Sequence, residues 1–150
     1  MRNPFGVADV PEPSGEDVLA FAATVSLDGS PNDPNAETWA DTASTETTMT
    51  GAWSSRWNGG ADATISGDTP ERWKLGRANL VVRDERIYVL FDWDEGRRKG
   101  LLEANRTGAR WHGRYVNLSD RTITRPWAGL RVGNTRIDGV WTHGRLDFRR

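Results

Sequence analysis

The stretch Gly51-Ala-Trp-Ser-Ser-Arg-Trp-Asn-Gly-Gly60 decides how the rest of the chain is read. Trp53, Ser55 and Trp57 alternate with Ala52, Ser54 and Arg56. A period of two puts alternate side chains on opposite faces of a strand. Asn58-Gly-Gly60 then breaks the pattern, because glycine reaches positive φ at little steric cost. The stretch reads as the first strand of an antiparallel sheet, with both of its indoles on one face.

Working outward toward the C-terminus, strand signals recur at short intervals. The first strand takes in residues 48–57, and a polar loop follows at 61–70, with Gly67, Asp68 and Pro70 as breakers. Further strands are predicted at 73–82, 87–93, 99–105, 109–118, 127–132, 135–142 and 145–149. Tight polar turns separate most of them, and a longer polar connection spans 117–125. Ile87-Tyr-Val-Leu-Phe-Asp-Trp93 has the strongest β-propensity, with β-branched and aromatic residues on both faces. Helix competes only at 95–105, where Gly100 and the hairpins on either side favour strand. The fold class is therefore all-β: a meander of about eight antiparallel strands, closing into an up-and-down barrel that removes both sheet edges.

Toward the N-terminus the composition changes. Pro4, Pro11, Pro13, Pro31 and Pro34 punctuate residues 1–47, and Ser, Thr, Asp and Asn fill the gaps. One helix is expected over 15–25, capped by Ser14, with Val18, Leu19, Phe21 and Ala22 as its apolar face. Another short turn of helix at 36–43 would be capped by Asn35 and anchored by Trp39. The chain divides into an irregular, partly helical arm (1–47) and a barrel (48–150). The arm serves either as a lid over a barrel mouth or as a segment outside the barrel.

At 150 residues the chain suits one hydrophobic core. It has no cysteine, so neither a disulfide framework nor a thiolate metal site is expected. A net charge of -1 gives no excess of positive charge for nucleic acid or anionic lipid. No apolar run approaches the roughly 20 residues of a membrane-spanning helix. The short apolar run at 18–25 follows acidic Glu16 and Asp17 where a signal peptide would be basic. The expectation is a cytoplasmic protein whose partner is a small molecule and neither nucleic acid nor membrane, with a homodimer left open.

A Gly-x-Trp on the first strand (Gly51, Trp53) of an eight-stranded meander with late arginines resembles the calycin superfamily of lipocalins, fatty-acid-binding proteins and avidins. Trp111-His-Gly-Arg-Tyr115 also resembles an avidin-type strand in which Trp and Tyr line the cavity. The resemblance covers residues 48–150 as architecture. It implies that Trp53 closes one end of the barrel and that Arg149, or alternatively Arg145, packs across the indole. The chain departs from secreted lipocalins in lacking a cysteine pair and a signal peptide.

Tryptophan is the unusual quantity, eight of the chain's aromatics against four Phe and two Tyr. If Trp53, Trp57, Trp111, Trp127 and Trp141 converge inside the barrel, they wall a cavity for a flat or greasy ligand. The bland alternative is that they fill the barrel, and a third reading sets indoles on an outer face to stack on sugars or meet another protein. Asn58, Arg114, Tyr115 and Asn117 are the candidates for orienting a ligand at one mouth. Asp92, between Phe91 and Trp93, and Glu103, between Leu102 and Ala104, are the candidate acid–base groups. Desolvation in a cavity would raise their proton affinity.

Those carboxylates support an alternative function, a cofactor-free cyclase or isomerase acting on a hydrophobic substrate. Inward carboxylates favour that chemistry, and outward ones favour a carrier. No metal or cofactor is expected. His112 and His143 fall short of a zinc set, and no phosphate-cradling loop or nucleophile elbow is present.

Overall fold

The computed structural model describes residues 4–5, 16–18, 20, 49–62 and 64–150. Its strands are β1 (Gly51–Trp57), β2 (Lys74–Arg83), β3 (Arg86–Trp93), β4 (Arg98–Thr107), β5 (Arg110–Asn117), β6 (Thr124–Val132), β7 (Arg136–Trp141) and β8 (Gly144–Arg149). Each pairs antiparallel with the next, and β8 returns to β1, so the sheet is a closed eight-stranded barrel in meander order. The segment that competed for helix is strand β4. Of the helix expected at 15–25, residues 16–18 and 20 are helical. The rest of that helix, the turn at 36–43 and, apart from residues 4–5, the remainder of the arm lie outside the described residues.

The register explains what fills the barrel. Alternation sends Trp53, Ser55 and Trp57 inward from β1, and pairing carries that face to Ala78, Phe91, Leu102, Tyr115, Trp127, Trp141 and Phe148. The largest rings stand beside strand positions that have no side chain. Phe91 pairs with Gly100, Trp111 with Gly129, and Trp127 with Gly113. Trp127 also lies over Gly139 and donates its Nε1–H to Leu146 O at 3.1 Å. A barrel of this strand number has an interior only wide enough for its own side chains, and bulky rings fit where neighbours are small. The middle of the barrel is thus packed with its own residues.

One end is closed around Trp53. Its Nε1–H donates to Met49 O at 2.8 Å, and the Arg150 guanidinium lies 4.6 Å from the ring centroid. The arginine across the first-strand indole is therefore Arg150, and neither Arg149 nor Arg145. Phe148 faces inward, so Arg149 faces outward, where its guanidinium meets Asp138 Oδ1 at 2.6 Å. Arg145 also points outward, to Asp147 Oδ1 at 3.0 Å.

Candidate functional site

In a meander every second strand runs the same way, so β1, β3, β5 and β7 all end at the other mouth. Their last inward side chains are Trp57, Trp93, Asn117 and Trp141, with Tyr115 one step deeper on β5. Here lies a pocket of about 310 Å³, walled by these residues, by Asp62 and Thr64 of the β1–β2 loop, and by Arg98 and Asp120 at the rim. The indoles brace one another edge to face. Trp57 and Trp93 centroids are 5.2 Å apart at 80°, Trp57 and Trp141 are 6.3 Å apart, and Tyr115 is 5.9 Å from Trp141. The Trp57 Nε1–H is buried with no acceptor among the described residues.

The loop over this mouth, residues 58–73, is organised around a buried cation. Lys74, 2% exposed, donates from Nζ to Gly60 O at 2.8 Å, Thr69 O at 2.9 Å and Arg72 O at 3.1 Å. The same ammonium meets Asp68 Oδ2 at 2.8 Å and lies 4.8 Å from the Trp57 ring centroid. Asp68 Oδ2 in turn accepts the Asp62 backbone N–H at 2.7 Å. A buried charge is tolerated only when paired and hydrogen-bonded, and here that requirement folds the loop.

The loop delivers Asp62 to the pocket wall. Its Oδ2 accepts the Trp93 Nε1–H at 2.7 Å, and its Oδ1 accepts Thr64 N–H at 2.9 Å and Thr64 Oγ1–H at 2.6 Å. Burial works against its ionisation. The hydrogen bonds from Thr64 and Trp93 and the Arg98 charge outweigh it, holding Asp62 below the usual carboxylate range. Tyr115 moves the other way. Burial, with the Asp62 charge adding to it, pushes its phenol well above the ordinary value, so it stays a neutral hydroxyl.

Of the residues singled out from sequence, Trp57, Tyr115, Asn117 and Trp141 meet at this pocket. Trp111 and Trp127 are packed into the barrel, and Trp53 is buried at the closed end. Asn58 is a structural clamp: its Oδ1 accepts Arg145 N–H at 3.0 Å, and its backbone O accepts the Trp141 Nε1–H at 2.9 Å. Arg114 faces outward and meets Glu103 Oε1 at 3.0 Å.

The two carboxylates proposed for acid–base work lie on the outer face. Glu103 is held between Arg114 and Arg86, the latter at 2.7 Å. Asp92 accepts Arg77 N–H at 2.8 Å. The reason is alternation itself: Phe91 and Trp93 face inward, so Asp92 cannot. Among the described residues, no group of His, Cys, Asp and Glu could hold a metal ion. His112 is half-buried, its proton affinity lowered by burial and by Arg110, and His143 stands edge-on to Trp141 at 5.2 Å.

Sequence reasoning missed Trp93, Asp62 and Arg98. Trp93 carried a usable signal, since it ends an odd-numbered strand as Trp57 and Trp141 do.

Neither a family model nor a curated protein sequence matches the chain. Among solved structures, a redesigned beta barrel is similar to it at 12% identity and a TM-score of 0.48, over 73% of this chain and 96% of that one.

Proposed function

We propose that this protein binds a small, largely aromatic or apolar molecule in the pocket at the open end of its barrel. The observation that carries the reading is an indole-walled pocket of about 310 Å³ at the mouth of a barrel otherwise filled by its own side chains. Ligand sites are typically apolar concavities of roughly 300 Å³ or more with a few placed polar groups, and this one is at the small end. The Arg150–Trp53 stack supports a calycin-like reading of residues 48–150, whose members hold ligands inside barrels.

The cyclase alternative is less favoured. Asp92 and Glu103 face outward, and Asp62, which does line the pocket, is held ionised, whereas acid–base work at neutral pH needs raised proton affinity. The surface-platform reading is disfavoured too. Trp53, Trp57, Trp93, Trp111, Trp127 and Trp141 are buried, while Trp73 lies outside the barrel under the Arg56 guanidinium.

The test is a thermal-shift and tryptophan-emission screen with flat aromatics, fatty acids, terpenoid-like compounds and oligosaccharides. A ligand at about 100 times its dissociation constant should stabilise the protein by roughly 2.7 kcal/mol, a rise of a few degrees. The same compound should lose most of its effect on a Trp141→Ala variant. A response to oligosaccharides alone, or to nothing, would overturn the reading.

A further inference from the structure

The pocket wall is chemically one-sided. Trp57, Trp93, Tyr115 and Trp141 present aromatic π-systems, whose faces carry negative potential and attract cations. Among the described residues that line it, Asp62 and Asp120 are acidic and Arg98 is basic, two minus one, a net charge of -1. Asp120 Oδ1 is engaged by Thr122 N–H and Oγ1–H in its own turn, at 3.2 and 2.6 Å. Asp62 is the carboxylate joined to the aromatic wall, through the Trp93 Nε1–H.

Among the described residues, its hydrogen bonds leave room for one more donor. Thr64 supplies two to Oδ1, and Trp93 supplies one to Oδ2, so Oδ2 keeps an acceptor position. Its charge is not cancelled at contact: among the described residues Asp62 makes no ion pair, and Arg98 Nε–H donates to Thr64 Oγ1 at 3.1 Å. A fixed carboxylate beside several aromatic rings is the chemistry that recognises an organic ammonium.

Resting on the binding function above, we propose that the pocket's ligand is a small organic cation. It carries a primary or methylated ammonium on an aromatic or aliphatic body, with the body against Trp57 and Trp141 and the ammonium beside Asp62. An anionic ligand would have Arg98 in its favour but would meet Asp62 and four π-systems. A neutral one could donate a hydrogen bond to Asp62 but would bring no charge to meet it.

The experiment compares probes that share a phenylethyl-sized body and differ in the head group: phenethylammonium, 2-phenylethanol and phenylacetate. Each is titrated into the full chain by tryptophan emission. The ammonium is expected to bind about tenfold tighter than the alcohol, with phenylacetate weakest. Asp62→Asn should erase the gap between ammonium and alcohol. Arg98→Gln, which keeps an N–H for Thr64, should move the other way and tighten the ammonium.

If Asp62→Asn does not fold, Arg98→Gln still decides the matter. Equal affinity for alcohol and ammonium, a preference that survives Asp62→Asn, or an ammonium indifferent to Arg98→Gln would overturn the cation while leaving the pocket's binding role intact. Failure of every neutral and charged compound to bind would overturn both.

Discussion

Trp93 Nε1–H donates to Asp62 Oδ2 at 2.7 Å, tying the end of strand β3 to the loop that follows strand β1. A hydrogen bond to an ionised group contributes more than a neutral one, and a buried acceptor left unmatched is penalised. Trp93→Phe keeps an aromatic ring beside Trp57 and removes this donor. The expected loss is about 2–3 kcal/mol in urea unfolding. Amide exchange should accelerate at residues 59–68 ahead of the strands.

The same loop should make the protein acid-sensitive. Burial raises the proton affinity of Asp62 and Asp68, but hydrogen bonds and neighbouring cations reverse this and leave both below the ordinary 3.8. A group with a depressed folded pKa stabilises fully above its unfolded value and loses that contribution as pH falls through the folded one. Unfolding free energy should therefore decline as pH drops below the ordinary carboxylate value of 3.8. The Asp62→Asn/Asp68→Asn double variant should start lower and show a shallower decline. Urea titrations at pH 5 and at about pH 3 measure both slopes. Identical slopes would mean that neither carboxylate contributes.

The barrel was legible in the sequence because its determinants are local: alternation along each strand and turn residues between strands. The site was half legible. Trp57, Tyr115, Asn117 and Trp141 are inward strand-end residues, and strand periodicity reaches them. Asp92, Glu103 and Arg114 lie on the outer face for one shared reason. In a strand, neighbours that face inward send the residue between them outward. Asp62 was not legible at all. Its position depends on Lys74 and Asp68 folding an aperiodic loop back on itself, a contact that no local pattern encodes.

The glycine opposite a ring is the packing device most open to test. A Cβ on Gly139 would overlap the Trp127 indole, at Nε1 and Cε2, and Trp127 is fully buried with its Nε1–H already committed to Leu146 O. Protein interiors have little free volume, so overpacking of this kind costs about 1–3 kcal/mol or more. Gly139→Ala should destabilise by about 3 kcal/mol. Combining it with Trp127→Phe should recover part of that loss, since a smaller ring makes room for the methyl. A double-mutant cycle that closes additively would show that the two residues do not compete for one space.

The last two residues of the chain make different contributions despite their shared chemistry. Arg149 meets Asp138 Oδ1 at 2.6 Å and Asp147 Oδ2 at 4.0 Å, both carboxylates nearly inaccessible, and donates to Ile137 O at 3.1 Å. Arg150 is exposed, lies over Trp53 and donates to Asn134 O at 2.9 Å. Arg149→Ala leaves buried carboxylates short of a cation, although Arg136 still holds Asp138 at 2.9 Å. The cost should be about 2 kcal/mol, below the 3–5 typical of a fully buried pair that loses one partner. Arg150→Ala should cost under about 1 kcal/mol, the scale of an exposed cation–π contact. It should instead red-shift emission from Trp53 as water gains the ring face. A larger stability loss from Arg150→Ala than from Arg149→Ala would mean that closure of this barrel end depends on the stacked arginine more than on the ion-pair network outside it.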